Sequence, residues 1–201
     1  RESFKAGILD ADITGPSIPK MFGLKNNSMN KGFIPLETSR GIKVMSLNLL
    51  LPSEDDPVIW RGPLIGGAVK QFWTEVDWGE LDYLFIDLPP GTADAPLTVM
   101  QFIPLDGLVI VSSPQDLAVM VVKKALKMAA AMNVPVLGLI ENMSYLLCPS
   151  CGDKLEIFGA SKAKEVATIT GVPLIDILPL DKKLAEYCDN GLIENYDTDL
   201  F

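Results

Sequence analysis

Short apolar runs alternate along the chain with longer stretches of helical periodicity. Phe4 to Leu9 reads as a strand ending in Asp10-Ala-Asp12, and Gly15-Pro-Ser-Ile-Pro19 as a loop, since two prolines exclude a continued helix. Asn26 to Leu36, rich in Asn, Gly, Lys and Met, reads as an exposed excursion, and Glu54-Asp55-Asp56 as a solvated turn. Ile42 to Leu47 is a strand, and Pro63 is well placed to open a helix reaching about Trp73. Tyr83 to Asp87 is a buried strand stopped by Pro89, Pro90 and Gly91, with a helix starting near Ala95. Leu105 to Val111 is nearly continuously apolar between Pro104 and Ser112-Ser113-Pro114, the pattern of a parallel strand buried on both faces. Ser113 to Asp116 reads as a capping box with Pro114 at the first helical position, followed by a helix to Met132. Val134 to Ile140 is another buried strand, Ser161 to Thr170 a helix, Val172 to Ile177 a strand, and Pro179 with Asp181 opens a last helix to about Asp189.

Strands alternating with helices at this spacing, without a hairpin signal, predict right-handed crossovers and a doubly wound, mainly parallel α/β sheet. The length of 201 residues fits one domain, 1–201, and 48% hydrophobic with 21% charged residues suits a globular core. There is no internal repeat and no low-complexity linker.

Charge narrows the function. With 17 Lys+Arg against 26 Asp+Glu, net −9, an extended phosphate-backbone surface is not expected, so nucleic acid is not an expected partner. The sequence contains no histidine, which excludes a Ser-His-Asp triad, a Cys-His pair and any His-ligated metal. Three cysteines cannot all pair, and no apolar run is long enough to span a bilayer; a soluble protein of a reducing, cytoplasmic compartment is expected, with no membrane partner.

Two predicted strands end in carboxylates, Asp10-Ala-Asp12 and Asp87, with Gly15 and Gly91 close behind. In open α/β sheets ligands sit outside the carboxyl ends of the strands. Asp87 stands too early to be a mere cap for the helix near Ala95. Acids at one rim can hold Mg²⁺ through its water ligands together with substrate phosphates, which points to nucleotide hydrolysis. No Gly-x-x-x-x-Gly-Lys-Ser/Thr loop occurs, and Gly66-Gly67 lacks the following Lys-Ser/Thr. The first residues read as the end of a helix running directly into a strand, as though a strand–loop–helix unit preceded Arg1.

Cys148-Pro-Ser-Cys151-Gly152 places two thiols at chelating spacing in a turn-forming stretch at about 143–158. A structural zinc knuckle needs four ligands, and the remaining thiol, Cys188, reads as an ordinary helical cysteine. A redox pair belongs at a helix N-terminus, and nothing helical is predicted before Ser161. Two such pairs from two subunits give four thiolates for zinc or an iron–sulfur cluster on a two-fold axis, which the ligand arithmetic favours.

Gly7-Ile-Leu-Asp-Ala-Asp-Ile-Thr-Gly-Pro-Ser-Ile-Pro19, Phe85-Ile-Asp-Leu-Pro-Pro-Gly-Thr92, Ser113-Pro-Gln-Asp116 and Glu141-Asn-Met-Ser-Tyr145 leading to Cys148-Pro-Ser-Cys151 together resemble the Mrp/ApbC family. These are deviant-Walker P-loop ATPases, related to MinD and nitrogenase iron protein, that carry or scaffold iron–sulfur clusters. The resemblance spans almost the whole chain. It implies that Asp12 is the switch I acid aligning the attacking water, with Asp10 beside it, and that Asp87 is the switch II acid near Mg²⁺. It makes Gly91 part of the loop sensing the γ-phosphate, Asn142 the adenine-reading residue, and Pro179-Leu-Asp181 the other wall of the base pocket. Cys148 and Cys151 become the cluster-binding pair of a homodimer that passes a [4Fe–4S] cluster to apo iron–sulfur proteins, with ATP as nucleotide and zinc a possible occupant. Two departures stand out. Ala93 replaces the family's usual Gly. The family's Gly-Lys-Gly-Gly-Val-Gly-Lys-Ser/Thr loop is absent, and it would lie before Arg1. Its strand is central in the sheet, so its absence should leave an apolar gap. The competing readings are a MinD- or ParA-like positioning ATPase, which needs a basic face or terminal amphipathic helix where this tail is acidic, and a non-enzymatic zinc-bridged dimer.

Overall fold

The computed structural model describes residues 4–13, 15–25, 33–50, 62–91 and 94–197. They form two compact units, one from the described residues of Arg1–Ile103 and Lys183–Asp199, the other within Pro104–Lys182. The Asn26 to Leu36 excursion lies largely outside the described residues, and Glu54 to Asp56 wholly so.

In the first unit β1 (Ala6–Asp10) runs parallel to both β3 (Lys43–Ser46) and β4 (Tyr83–Asp87), giving the order β2-β3-β1-β4. The short β2 (Leu36–Glu37) is antiparallel to β3 through a turn at Ser39–Arg40, a hairpin that the periodicity did not signal. Helix α1 (Ile18–Met21) occupies part of the predicted proline loop: Pro19 sits at the start of the helix, where its missing N–H costs nothing, so it opens a turn instead of forbidding one. Helices α2 (Gly62–Thr74) and α3 (Asp94–Phe102) pack on each other. Leu9, Val44, Val69 and Val99 are fully buried and Phe72 is 1% exposed; burying each such side chain is worth about 1.5–3 kcal/mol.

In the second unit β5 (Leu108–Ser112), β6 (Val136–Glu141) and β9 (Leu174–Ile177) form a parallel sheet in the order β5-β6-β9. Helices α4 (Asp116–Ala131) and α5 (Ala163–Thr170) supply Val122 and Val166 to a core around Leu139. The capping box is not formed: the N-cap of α4 is Gln115, in extended conformation and without a side-chain cap bond, so Ser113 and Pro114 precede the helix. A second hairpin pairs β7 (Leu146–Leu147) with β8 (Lys154–Leu155). Helix α6 (Lys182–Asp189) is the predicted last helix.

The strands expected to be covered on both faces are not. Tyr83 and Phe85 are 51% and 60% exposed, and Val109 and Val111 are 46% and 61%. β4 and β5 are each an edge of their own sheet, and within the described residues one face of each is bare.

Candidate functional site

The parallel pairing of β1 with β3 and β4 brings Asp10 level with Ser46 on one side and Asp87 on the other, at the carboxyl rim of the sheet. Asp10 is fully buried, and both its oxygens are taken. Its Oδ1 accepts the Asp12 N–H at 3.2 Å, and its Oδ2 accepts the Ser46 hydroxyl at 3.2 Å and the Ile18 N–H at 3.4 Å. Asp10 therefore pins the loop between β1 and α1. Within that loop the Asp12 carboxylate accepts the Gly15 N–H at 3.1 Å, and the Ala11 N–H donates to the Asp87 carbonyl at 2.9 Å.

Electrostatics agree with that geometry. Burial, and then the charge of Asp87, raises the Asp10 pKa to about 6, against the pull of its three hydrogen bonds. Desolvation, and then the charge of Asp12, raises Asp87, whose residue surface is nonetheless exposed. The charge of Asp87 thus acts on Asp10 and that of Asp12 on Asp87, along the same rim. Both Asp10 oxygens are engaged in hydrogen bonds, and among the described residues no group of three or more acids or thiols is placed to hold a metal ion. Gly91 follows with φ of 92°, a conformation side chains avoid, and open space where a Cβ would stand. The Ala93 departure lies outside the described residues.

In the second unit the end of β6 gathers the other predicted residues. The Asn142 N–H donates to the Ser112 carbonyl at 2.7 Å, and the Asn142 Oδ1 accepts the Met143 N–H at 2.8 Å. Bonds from Leu178 N–H to the Glu141 carbonyl (2.8 Å), Ser144 N–H to the Leu178 carbonyl (2.9 Å) and Leu180 N–H to the Tyr145 carbonyl (2.7 Å) continue the ladder past both strands. Asn142, Pro179 and Asp181 therefore share one rim, half-buried. Glu141, 3% exposed, was not singled out from the sequence, although an acid ending an apolar strand is the same signal that marked Asp87.

The cysteines occupy the turn between β7 and β8. The Gly152 N–H donates to the Cys148 carbonyl at 2.8 Å and the Cys148 N–H to the Asp153 carbonyl at 2.9 Å, closing a knuckle in which Gly152 adopts φ of 78°. Backbone N–H groups of Ser150 and then Cys151, followed by the Cys151 thiol, lower the pKa of Cys148 from its ordinary value. The Cys151 thiol reaches Asp153 Oδ2 at 3.1 Å. Every residue from Cys151 to Ser161 is exposed. All three cysteines are free, and Cys188, in α6 of the other unit, has its pKa raised by burial and then by Asp189.

The family model described as NUBPL iron-transfer P-loop NTPase matches residues 1–199. An iron–sulfur cluster carrier protein of Clostridium perfringens is 48% identical over 98% of this chain and 72% of its own length. The iron–sulfur cluster transfer protein NUBPL of Dictyostelium discoideum is 46% identical over 94% of this chain and 59% of its own. Across such relatives the chain spans 52% to 72% of their length. A nucleotide-binding protein of Archaeoglobus fulgidus solved with ADP superposes with a TM-score of 0.83 at 47% identity, covering 98% of this chain and 78% of that one. MinD of Aquifex aeolicus, 18% identical over 96% of this chain and 78% of its own, shares the fold with a TM-score of 0.61. No helix among the described residues is long and apolar enough to cross a membrane. The chain belongs to the NUBPL iron-transfer P-loop NTPase family and has its MinD/ParA-like α/β fold.

Proposed function

We propose that the chain is the nucleotide-binding domain of an ATP-dependent iron–sulfur carrier that receives a [4Fe–4S] cluster and passes it to apo-proteins in a reducing, cytoplasmic compartment. The observation that carries this reading is the Cys148–Cys151 knuckle, two thiols in the turn of a hairpin, Cys151 exposed and Cys148 half-buried, with backbone donors directed at Cys148. A cluster takes four thiolates and one chain offers two here, so two copies meet at their knuckles with the cluster between them.

In the nucleotide half, Asp12 orients the water whose oxygen attacks the γ-phosphorus while the bond to the ADP oxygen breaks. Asp10 holds the Asp12 loop in place through the Asp12 and Ile18 N–H groups. Asp87 would order the water shell of a bound Mg²⁺, which would supply charge neutralisation at the phosphate oxygens. Gly91 supplies a backbone N–H in a loop open enough for a phosphate to approach. Asn142 reads the adenine edge, with Pro179 and Asp181 as the facing wall.

Anaerobic reconstitution of the full-length protein, followed by sizing and metal counts, tests the reading. About four irons, or one zinc, per dimer are expected. Cys148→Ala and Cys151→Ala should each lose the metal, and Cys188→Ala should keep it. A metal-loaded monomer, or full metal in Cys151→Ala, would overturn the bridging arrangement. Zinc alone, with no iron taken up anaerobically, favours a zinc-bridged dimer, and retention on vesicles or DNA favours a positioning ATPase.

A further inference from the structure

Glu141 is an ionisable side chain at the end of β6 that is almost fully buried, where a carboxylate persists only with hydrogen-bond partners. Its two oxygens serve two different segments: Oε1 accepts the Ser144 hydroxyl, and Oε2 accepts the Lys162 N–H at 3.0 Å. Ser144 lies just before β7, and Lys162 is the N-cap residue of α5, so these are the two stems of the excursion that carries the cysteines. One carboxylate holds both. The carbonyl of the same residue accepts the Leu178 N–H, and the next residue is Asn142.

Side-chain packing of this excursion onto its base includes Lys154, whose Nζ stands 4.1 Å from the centre of the Tyr145 ring. Between its stems lies a cavity of about 200 Å³ lined by Ser144, Tyr145, Lys154, Glu156, Ser161 and Ile177, and the segment from Cys151 onward is exposed. The hydrogen bonds of Glu141 add to the Lys154–Tyr145 contact a direct tie between the two stems at the base of the knuckle.

We propose that Glu141 is a positioning residue that couples the two halves of the site, so that nucleotide held against Asn142 changes the metal affinity of the Cys148–Cys151 pair, and metal changes the affinity for nucleotide. The proposal rests on the carrier reading above. A ligand that shifts the backbone at Asn142 moves the neighbouring Glu141, and its carboxylate carries both stems with it.

The test uses the full-length protein with zinc alone and ADP as probes. Zinc affinity is measured by chelator competition with and without saturating ADP, and ADP affinity by calorimetry with and without zinc. The wild type should show a coupling factor on the order of tenfold, equal in the two directions as linkage requires. Glu141→Ala should bring that factor to within about twofold of unity, and Ser144→Ala, which removes one of the two donors, to an intermediate value. Glu141→Gln is the rescue: its amide oxygen can accept the Lys162 N–H while its amide nitrogen donates to the Ser144 hydroxyl, so most of the coupling should return. If Glu141→Ala does not fold, the ordering of wild type, Gln and Ser144→Ala decides the matter. A merely architectural role would lower thermal stability and leave the factor intact, which would overturn the proposal, as would a wild type without coupling. If zinc binds wild type and Cys148→Ala alike, the carrier reading fails and the coupling with it. If zinc binds through the cysteines and the variants keep the factor, the role of Glu141 alone fails.

Discussion

Asp10 and Asp87 are register partners at the ends of β1 and β4, and the first is sealed from solvent while the second is open to it. Burial and the neighbouring charge leave Asp10 with a pKa of about 6, against an ordinary 3.8. A carboxyl that ionises less readily in the folded chain contributes stability below its unfolded pKa and loses it as pH rises through the folded one. In the unliganded protein Asp10 should therefore withdraw up to about 3 kcal/mol between roughly pH 4 and pH 7, and Asp87 shifts in the same direction. Urea titrations of wild type and Asp10→Asn across that range should show the difference moving in favour of the Asn variant as pH rises. A difference that is flat with pH would mean that Asp10 titrates as an ordinary carboxylate.

Glu194, in the short 3-10 helix Ile193–Asn195, accepts the hydroxyls of Thr38 and Ser39 and the Arg40 N–H, fastening the C-terminal segment of the first unit to the β2–β3 turn. Desolvation pushes its pKa up, but the bonds from Ser39, Thr38 and Arg40 prevail and leave it lowered. That contribution is present above the unfolded pKa and is lost as pH falls through the folded one, the opposite sign to Asp10. Glu194→Ala should cost about 1–3 kcal/mol at neutral pH, read from denaturant midpoints, and the penalty should shrink on acidification.

Gly23 and Gly191 cross backbone to backbone. A Cβ on Gly23 would stand 2.7 Å from the Gly191 carbonyl oxygen, and one on Gly191 would stand 2.6 Å from the Gly23 Cα, with φ of 66° and 70°. Gly41 has φ of 79° but open space around it. Gly41→Ala should thus cost only the left-handed strain, about 1–2 kcal/mol, and Gly23→Ala distinctly more, because main chain must also move. Equal losses of stability would show that the close approach relaxes without penalty.

The alternation of strand and helix, the acids at strand ends and the cysteine turn were all legible because each is written in consecutive residues. What was not legible depends on residues distant in sequence. The run Leu108 to Val111 looks the same whether its faces are covered or bare, since the cover belongs to other elements. The β7–β8 hairpin escaped because each of its strands is two residues long, too short for a period. Ser113 to Asp116 carries the residues of a capping box, yet Pro114 stays in the connection and the helix begins after Gln115. The strand-end motif suggested that Asp10 and Asp12 act together; only the fold shows that Asp10 has both oxygens occupied while Asp12 sits in the loop that Asp10 anchors.

That geometry, with the roles proposed for Asp12 and Asp87, predicts separable kinetics for the acids. In the full-length protein Asp12→Asn removes the group that orients water, an interaction made chiefly in the transition state, so kcat should fall by about a hundredfold or more while ATP affinity changes little. Asp87→Asn weakens the ordering of the Mg²⁺ water shell, which is present in ground state and transition state alike, so KM for Mg-ATP should rise along with the loss in kcat. Asp10→Asn keeps one acceptor oxygen for three donors, and the loop that carries Asp12 should loosen. Its kcat should drop by less than that of Asp12→Asn. The Asp10→Asn, Asp12→Asn double variant should be no slower than Asp12→Asn alone, because a misplaced loop costs nothing once its water-orienting carboxylate is gone. Steady-state kinetics with magnesium titration on the four proteins checks the set. Additive losses in the double variant would show that Asp10 acts on the substrate directly and not through Asp12.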